Sequence, residues 1–238
     1  MNVFCLLTGR GNNTLKHKNI IPVLGKPVLK YPALAAKQVI SDDNLYVSSD
    51  DDRILEAASE EGFRKIMRPK EISGPTSKHI DAIIHGLEFI RQDTLLSVDI
   101  LVVILANSAT IKSKWIAEGI ELINGDPTIS AVVPAYVEQD HHPYRAKRLN
   151  KHGFLVPYFD FGDEFISTNR QELEGNYFLS HNFWVLNVPL SIESTSGLKP
   201  WAFMGERVKP IIVEDCFDIH TLDDVARTEA WLKNNWKN

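Results

Sequence analysis

The sequence predicts an α/β fold built on a mostly parallel sheet with helices on both faces. Short apolar runs alternate with amphipathic segments at helical spacing through the first half of the chain, which is typical of strand–helix repeats. The run at residues 99–105 has a single polar residue, Asp99, as expected of a strand buried on both faces. A length of 238 residues with 44% hydrophobic side chains suits one α/β domain, or one domain with a small excursion.

The strands and helices can be assigned in chain order from apolar spacing and from end signals. Strands are expected at residues 3–7, 44–48, 65–68, 99–105, 129–136, 180–188 and 208–213. Helices are expected at residues 28–39, 51–61, 77–91, 113–123 and 221–233. The second helix has the clearest ends, because Ser49 and Asp50 offer capping oxygens before it and Gly62 follows it. Asp223 and Asp224 put negative charge in the first turn of the last helix, where the helix dipole favours it.

One region departs from this alternation. From about residue 139 to residue 177 the chain is rich in aromatic, His, Asn and Gly residues, which indicates hairpins and loops. We therefore expect a single domain over residues 1–238 that contains an excursion at residues 139–179. The excursion is expected to form a dimer contact or a substrate lid.

Composition narrows the class of protein and of partner. The formal net charge is −5 and no basic stripe is present, so a nucleic acid partner is not expected. No run approaches the ~18–20 apolar residues that span a bilayer, and no basic segment opens the chain as in a signal peptide, so a membrane partner is not expected either. Cys5 and Cys216 both lie in apolar runs, which predicts reduced core thiols in a cytoplasmic protein.

The segment after the first strand is suited to binding phosphate. Residues 8–15 read TGRGNNTL, and the basic residues Lys16 and Lys18 follow. Glycines let the main chain approach a ligand closely, backbone N–H groups can point at phosphate oxygens, and the cations neutralise charge. The segment matches neither G-x-x-x-x-G-K-[ST] nor G-x-G-x-x-G, which fails at Thr14. A triphosphate-binding loop is one interpretation, and an ordinary Gly-rich βα turn is the other.

Further polar segments follow other predicted strands. They are residues 48–52 (SSDDD), 68–77 (RPKEISGPTS), 106–111 (ANSATI) and 216–224 (CFDIHTLDD). Because ligands bind beyond the carboxyl ends of strands in open parallel sheets, these segments could meet in one crevice. Asp218 and His220 are two residues apart, so in an extended segment both side chains point the same way and could hold one metal ion. Ordinary loops and helix caps are the alternative at each position.

Several of these motifs resemble sugar nucleotidyltransferases, and most closely the cytidylyltransferases that make CMP-sialic acids (CMP-N-acylneuraminate synthetases) and CMP-Kdo. The resemblance is carried by residues 18–20 (KNI), 25–28 (GKPV), 68–69 (RP), 142–144 (HPY), 169–173 (NRQEL) and 218–221 (DIHT). It implies a Rossmann-like nucleotide-diphospho-sugar transferase fold with a small β-rich dimerisation excursion. It also implies a homodimer that uses CTP and Mg²⁺, or Mn²⁺, to activate an acidic 2-keto-3-deoxy sugar with release of pyrophosphate.

The resemblance also implies roles for individual residues. Catalytic roles fall on Arg10, Lys18 and Asp218. Contacts to the nucleotide fall on Leu7, Thr8, Gly9, Gly11, Asn12, Lys16, Arg68, Ser73 and Ser77. Contacts to the sugar fall on Asn107, Ser108, Arg170, Gln171 and Asn182. The metal falls to Asp218 and His220.

Four positions depart from the pattern of the family. Gly74 and His220 stand where aspartates are usual, Ala106 stands where the sialic acid branch has a glutamine, and Ser108 stands where the Kdo branch has a metal-binding aspartate. These departures leave three alternatives open. The chain could act on another sugar, such as a Kdo-like acid or a sugar 1-phosphate, it could be a catalytically impaired nucleotide-binding relative, or it could be an interaction module.

Overall fold

The computed structural model describes residues 1–11 and 13–236, so the predicted nucleotide contact of Asn12 lies outside the described residues. The strands are β1 (Val3–Thr8), β2 (Pro22–Val23), β3 (Lys26–Pro27), β4 (Leu45–Ser49), β5 (Arg64–Met67), β6 (Ile100–Leu105), β7 (Ala131–Val137), β8 (Lys147–Leu149), β9 (Leu155–Pro157), β10 (Tyr177–Leu179), β11 (Phe183–Asn187) and β12 (Val208–Ile212). The α-helices are α1 (Lys30–Lys37), α2 (Asp52–Ser59), α3 (His79–Thr94), α4 (Ser113–Gly125) and α5 (Leu222–Asn235). Of the helices in the described part of the chain, none is long and apolar enough to cross a membrane.

The helix ends differ from the sequence assignment in one instructive place. The cap of α2 is Asp51, whose carboxylate accepts the Arg53 N–H at 3.0 Å, rather than Ser49 or Asp50. Asp50 instead accepts the Gly11 N–H at 2.9 Å, so its carboxylate is used to hold the loop after β1. The carboxylate of Asp50, which the sequence suggested as a helix cap, therefore makes a long-range contact that local spacing does not reveal.

The main sheet is confirmed as mostly parallel. Strands β5, β4, β1 and β6 lie side by side in that order and all run parallel, with Cys5 opposite Leu45 and Val3 opposite Ile100. Strand β11 then pairs antiparallel with β6 and with the start of β7, and β12 also pairs with β7. The parallel order brings the carboxyl ends of β1, β4, β5 and β6 to one edge of the sheet.

Helices cover both faces of the sheet. Cys5 and Leu7 of β1 point to one face, where they join an apolar cluster. That cluster contains residues of four helices, among them Ala33, Ile54, Ile116 and Trp231. Leu6, between them, points to the other face and meets α3 at Gly86. The α/β class predicted from the sequence is therefore confirmed, with α3 on one face and α1, α2, α4 and α5 on the other.

The chain divides into two compact units, one formed by residues 1–134 with 180–238 and the other by residues 135–179. Within the second unit, β8 and β9 form an antiparallel hairpin, and β10 pairs with the last residues of β7. Tyr144 makes edge contacts with Phe159 and Phe161, so aromatic rings pack against one another within this unit. The unit overlaps the excursion that the sequence predicted at residues 139–179.

The contact between α3 and the sheet depends on a glycine. A Cβ atom on Gly86 would lie 2.6 Å from Leu6 Cδ2, and Leu6 is fully buried. We expect Gly86→Ala to lower the free energy of unfolding by roughly 1–3 kcal/mol because it overpacks this contact. Gly125→Ala is the control, since a Cβ there meets nothing within 4 Å. Thermal denaturation of both variants checks this, and a Gly86→Ala protein that melts at or above wild type would contradict it.

Candidate functional site

A polar cleft of about 300 Å³ opens at the carboxyl ends of the parallel strands. The loops that follow β1, β5 and β6 contribute to it, together with the start of α3 and the segment before α5. Its lining residues are Thr8, Gly9, Arg10, Asn13, Lys18, Asn19, Arg68, Ile72, Ser77, Lys78, His79, Leu105, Asn107, Asp218 and His220. All of them belong to the first unit. Polar residues from both ends of the chain thus meet in one cavity.

The loop after β1 is held against the neighbouring strands. The Gly9 N–H donates to the Ser48 carbonyl at 3.2 Å, and a Cβ on Gly9 would lie 3.0 Å from the Ala106 Cβ. Asn19 donates to the Arg10 carbonyl at 2.7 Å, and the Arg10 guanidinium donates to the Gly74 carbonyl at 2.7 Å. A Cβ at position 9 would press against Ala106 and Asn19, and glycine avoids these contacts.

Arg68 is a buried cation in the wall of the cleft. Its guanidinium donates to the Ser48 carbonyl at 2.9 Å and to the Ser48 hydroxyl at 3.2 Å, and 6% of the residue is exposed. Burial lowers the pKa of Arg68 to about 10, with Arg10 acting in the same direction and Asp50 opposing it. The energetic cost of burying this charge favours binding of an anion in the cleft.

Lys18 is a second, partly buried cation in the cleft. Burial lowers the pKa of its ammonium group, the positive charge of Arg10 lowers it further, and the Asp218 carboxylate raises it. Four cationic side chains, Arg10, Lys18, Arg68 and Lys78, line the cleft beside the one lining carboxylate, Asp218. The cleft thus carries an excess of positive charge, although the whole chain is acidic.

Asp218 is held by two neighbours that share one of its oxygens. The Asn107 amide donates to Asp218 Oδ2 at 3.0 Å, and the same atom lies 2.9 Å from His220 Nε2. The Asn107 amide also donates to the Ile219 carbonyl at 3.0 Å. Both hydrogens of that amide are therefore engaged, which leaves Asn107 Oδ1 for the sugar contact that the sequence predicted.

His79 is a lining residue that the sequence reasoning missed. It begins α3, and its Nε2 lies 2.9 Å from the Thr8 hydroxyl, which also donates to the Ile104 carbonyl at 3.4 Å. Burial lowers its pKa to about 4, with smaller contributions from Arg68 and His181. The ring is therefore neutral at pH 7. Its position in the sequence, directly after residues 76–78 at a predicted helix start, was the signal that could have identified it.

The structure places other predicted site residues outside this cleft. Gly11 and Lys16 line a second polar cleft beside residues 50–53. Four residues are buried, namely Leu7, Ser73, Ser108 and Asn182. Ser73 donates to the Pro69 carbonyl at 2.7 Å, whereas Ser108 Oγ and Asn182 Nδ2 have no hydrogen-bond partner in the described part of the chain. The predicted ligand contacts of these six residues stay predictions.

Arg170 and Gln171 belong to the second unit. The Arg170 guanidinium donates to the Asp140 carboxylate, and both residues line a shallow cleft with Glu138 and Gln139. A guanidinium that pairs with a carboxylate in the protein has the geometry to bind a carboxylate of a ligand. The predicted contact to an acidic sugar stays a prediction.

The residues present allow a limited test of the predicted metal site. Within the described ranges, no group of three or more His, Cys, Asp or Glu side chains could hold a metal ion. Mg²⁺ is commonly bound by one or two carboxylates together with substrate phosphates, and it prefers oxygen. The carboxylate of Asp218 fits that mode, whereas the imidazole of His220, whose Nε2 faces Asp218, fits it poorly as a ligand.

Two known proteins are similar in sequence to this chain, one over nearly its full length and the other over a part of it. The CMP-N,N'-diacetyllegionaminic acid synthase of Legionella pneumophila is 25% identical over 243 residues, which cover 99% of this chain and 98% of that protein. The pseudaminic acid cytidylyltransferase of Campylobacter jejuni is 30% identical over 93 residues, which cover 38% of this chain and 40% of that protein.

Solved structures share the fold. A CMP:2-keto-3-deoxy-manno-octonic acid synthetase in complex with CTP superimposes with a TM-score of 0.68 at 14% identity, over 98% of this chain and 99% of that chain. A 4-diphosphocytidyl-2C-methyl-D-erythritol synthase from Anaerococcus prevotii superimposes with a TM-score of 0.61 at 12% identity, over 98% of this chain and 96% of that chain. The predicted Rossmann-like nucleotidyltransferase fold is therefore confirmed.

The sequence model of the cytidylyltransferase family matches residues 10–152, which is more than half of the chain. That stretch contains the loop after β1, the Arg68 segment, the start of α3 and the loop after β6, so it supplies most of the cleft. The chain belongs to the cytidylyltransferase family and is a nucleotidyltransferase, as the sequence resemblance predicted.

Proposed function

We propose that this chain transfers CMP from CTP to an acidic 2-keto-3-deoxy sugar and releases pyrophosphate. The observation that carries the proposal is the cleft in which Arg10, Lys18, Arg68 and Lys78 face one carboxylate at the ends of parallel strands. A triphosphate is an anion of matching charge and chemistry. The names of the legionaminic and pseudaminic acid relatives support a sugar acid as the acceptor.

The reaction requires charge neutralisation and alignment more than covalent catalysis. The anomeric hydroxyl of the sugar attacks the α-phosphorus of CTP, the bond to the β-phosphate oxygen breaks, and the hydroxyl proton passes to solvent or to a base. Arg10 and Lys18 hold the β- and γ-phosphates, and Arg68 contributes a fixed positive charge from the wall of the cleft. Partial burial strengthens each of these contacts, because water competes less for the phosphate oxygens.

We propose that Asp218 would hold Mg²⁺ when the nucleotide is bound. When bound, the ion neutralises charge on the phosphates and on the leaving pyrophosphate. His220 contacts Asp218 through Nε2 and its imidazole is largely exposed, so we propose it as a candidate base in the cleft. Mn²⁺ is the alternative ion, since imidazole is a better ligand for it than for Mg²⁺.

The sugar contacts are proposed for one residue that lines the cleft and for two buried residues outside its lining. Asn107 lines the cleft, and Asn182 Nδ2 is a buried donor without a described partner. Ser108 Oγ is a second such group. The contacts to the sugar carboxylate that the sequence predicted for Arg170 and Gln171 stay predictions. An unpaired buried donor costs free energy, so a ligand oxygen at these atoms would be stabilising.

We also propose that the protein is a cytoplasmic homodimer. Residues 135–179 expose several large apolar side chains, among them Leu149 (66%), Phe154 (68%), Leu155 (71%) and Phe165 (88%). We propose that these side chains contribute to the dimer interface, since exposed apolar patches mark contact sites. The two cysteines are unpaired, and burial raises the pKa of Cys216 to about 12, so neither the fold nor the thiols require an oxidising compartment.

The dimer proposal predicts a change in mass. We expect the wild-type chain to elute as a dimer in size-exclusion chromatography with light scattering, and Leu155→Lys to shift it toward the monomer because a charge would be buried in the interface. Leu96→Lys is the control, since Leu96 is 51% exposed in the first unit. A monomeric wild-type chain would contradict the proposal.

The proposed activity predicts a specific nucleotide dependence. We expect pyrophosphate release with CTP, a divalent cation and a panel of ulosonic acids, and little release with ATP, GTP or UTP. Lys18→Gln should lower kcat/KM by roughly 10²-fold, because a charge-assisted phosphate contact is lost. Lys114→Gln, which removes an exposed lysine of α4, should leave kcat/KM unchanged.

Each result separates the alternatives. Turnover with a sugar 1-phosphate and not with sugar acids would replace the acceptor class. CTP-dependent stabilisation without any turnover would indicate a nucleotide-binding relative without activity. Absence of both would refute the proposal.

The neutral state of His79 predicts a pH dependence of stability. Between pH 6.5 and about 4 the unfolded chain binds a proton at this position that the folded chain does not. Protonation of His79 therefore does not lower the free energy of unfolding above pH 6.5, and it lowers that free energy progressively as the pH falls from 6.5 toward 4. We expect His79→Gln to flatten the decrease of melting temperature across this window, and the exposed-site control His152→Gln to retain it. An unchanged slope in His79→Gln would show that another group is responsible.

A further inference from the structure

We infer that Asn107 is a positioning residue that fixes the carboxylate of Asp218 in the cleft. The inference rests on the proposed function only for its effect on turnover, since the contact itself is a property of the fold. It goes beyond the sugar-binding role that the sequence suggested for Asn107. The loop after β6 lacks the glutamine and the aspartate that the family resemblance implies at positions 106 and 108. The inference gives this loop a different role, through Asn107.

Asn107 holds the segment before α5 through three hydrogen bonds. Its side-chain amide donates to Asp218 Oδ2 and to the Ile219 carbonyl, both at 3.0 Å, and its main-chain carbonyl accepts the Ile219 N–H at 3.0 Å. Asn107 is 5% exposed and Ile219 is fully buried, so the two bonds to Ile219 are protected from competition by water, whereas the bond to the partly exposed Asp218 carboxylate lies at the cleft. The two residues act as a clamp on the backbone that carries Asp218.

The clamp also selects one oxygen of the carboxylate. Both described donors, the Asn107 amide and the His220 imidazole, contact Oδ2. In the described part of the chain no donor contacts Oδ1. Rotation of the carboxylate would break its hydrogen bond to Asn107, so its orientation is fixed. One oxygen, Oδ2, is hydrogen-bonded within the protein, and the other, Oδ1, can bind a ligand.

Thr110 provides a matched comparison within the same loop. Its hydroxyl accepts the Phe217 N–H and donates to the Phe217 carbonyl, both at 2.9 Å. It therefore holds the same segment one residue earlier, with no contact to the Asp218 side chain among the described hydrogen bonds. Loss of Thr110 and loss of Asn107 should destabilise the fold in similar ways, but only the second should act on Asp218.

A double-mutant cycle tests the contact without substrate or metal. Melting temperatures are measured for wild type, Asn107→Ala, Asp218→Ala and the double variant. We expect Asn107→Ala to cost at least ~2 °C less when Asp218 is already alanine, because the shared hydrogen bond is then absent. The bond to the Ile219 carbonyl is lost in both backgrounds and cancels. Thr110→Val should cost the same in both backgrounds to within ~1 °C.

Steady-state kinetics provide the second measurement. We expect Asn107→Ala to lower kcat by roughly 10- to 100-fold with KM for CTP within about 3-fold of wild type, because a misplaced carboxylate affects the transition state more than the ground state. Thr110→Val should keep kcat within about 2-fold. A lower kcat with a nearly unchanged KM in Asn107→Ala, together with a nearly normal kcat in Thr110→Val, would distinguish a positioning role from a loss of folded protein.

The outcomes are distinct. Equal costs of Asn107→Ala in both backgrounds would overturn the inference, as would a raised KM for the sugar acid with unchanged kcat, which would make Asn107 a binding group. A wild-type chain without CTP-dependent turnover would refute the proposed function instead, and the melting cycle would still decide whether Asn107 fixes Asp218.

Discussion

Parallel pairing of β1 with β4 and β6 is the constraint on which the rest of the structure depends. It brings three strand ends to one edge, and the residues at and just after these ends then lie close together, namely residues 8–10, 48–50 and 105–107. Main-chain hydrogen bonds join these ends. The Gly9 N–H donates to the Ser48 carbonyl at 3.2 Å, and the Ala106 N–H donates to the Thr8 carbonyl at 2.9 Å. The cleft is a direct consequence of this arrangement.

The cationic side chains that are buried in the cleft lower the stability of the fold. Burial disfavours the charged forms of Lys18 and Arg68. The carbonyl and the hydroxyl of Ser48 each accept a hydrogen bond from Arg68, which offsets part of the cost for that residue. A polyphosphate would relieve this cost, so the free energy that opposes folding favours binding. The neutral ring of His79 beside Thr8 adds a polar wall without adding to the charge repulsion.

Much of the fold could be predicted because its signals are local. Apolar runs and helical spacing located the central strands and the five helices, and the acidic first turn predicted for the last helix is present in α5. The structure adds a capping box there between Thr221 and Asp224. The helix at residue 77 begins instead at His79, because Lys78 remains extended at its N-cap. The cap of α2 was misassigned, because Asp50 is engaged by Gly11, a residue 39 positions away.

The sequence determined the α/β class, the family and the identity of most cleft residues, since apolar periodicity and ordered motifs are written along the chain. Folding in three dimensions distinguished residues that look equivalent in the sequence. Lys18 lines the main cleft while Lys16 lines another, and Asn107 has its amide committed to Asp218 and Ile219. These distinctions depend on side-chain direction and on contacts more than 100 positions apart, and neither is encoded in local spacing.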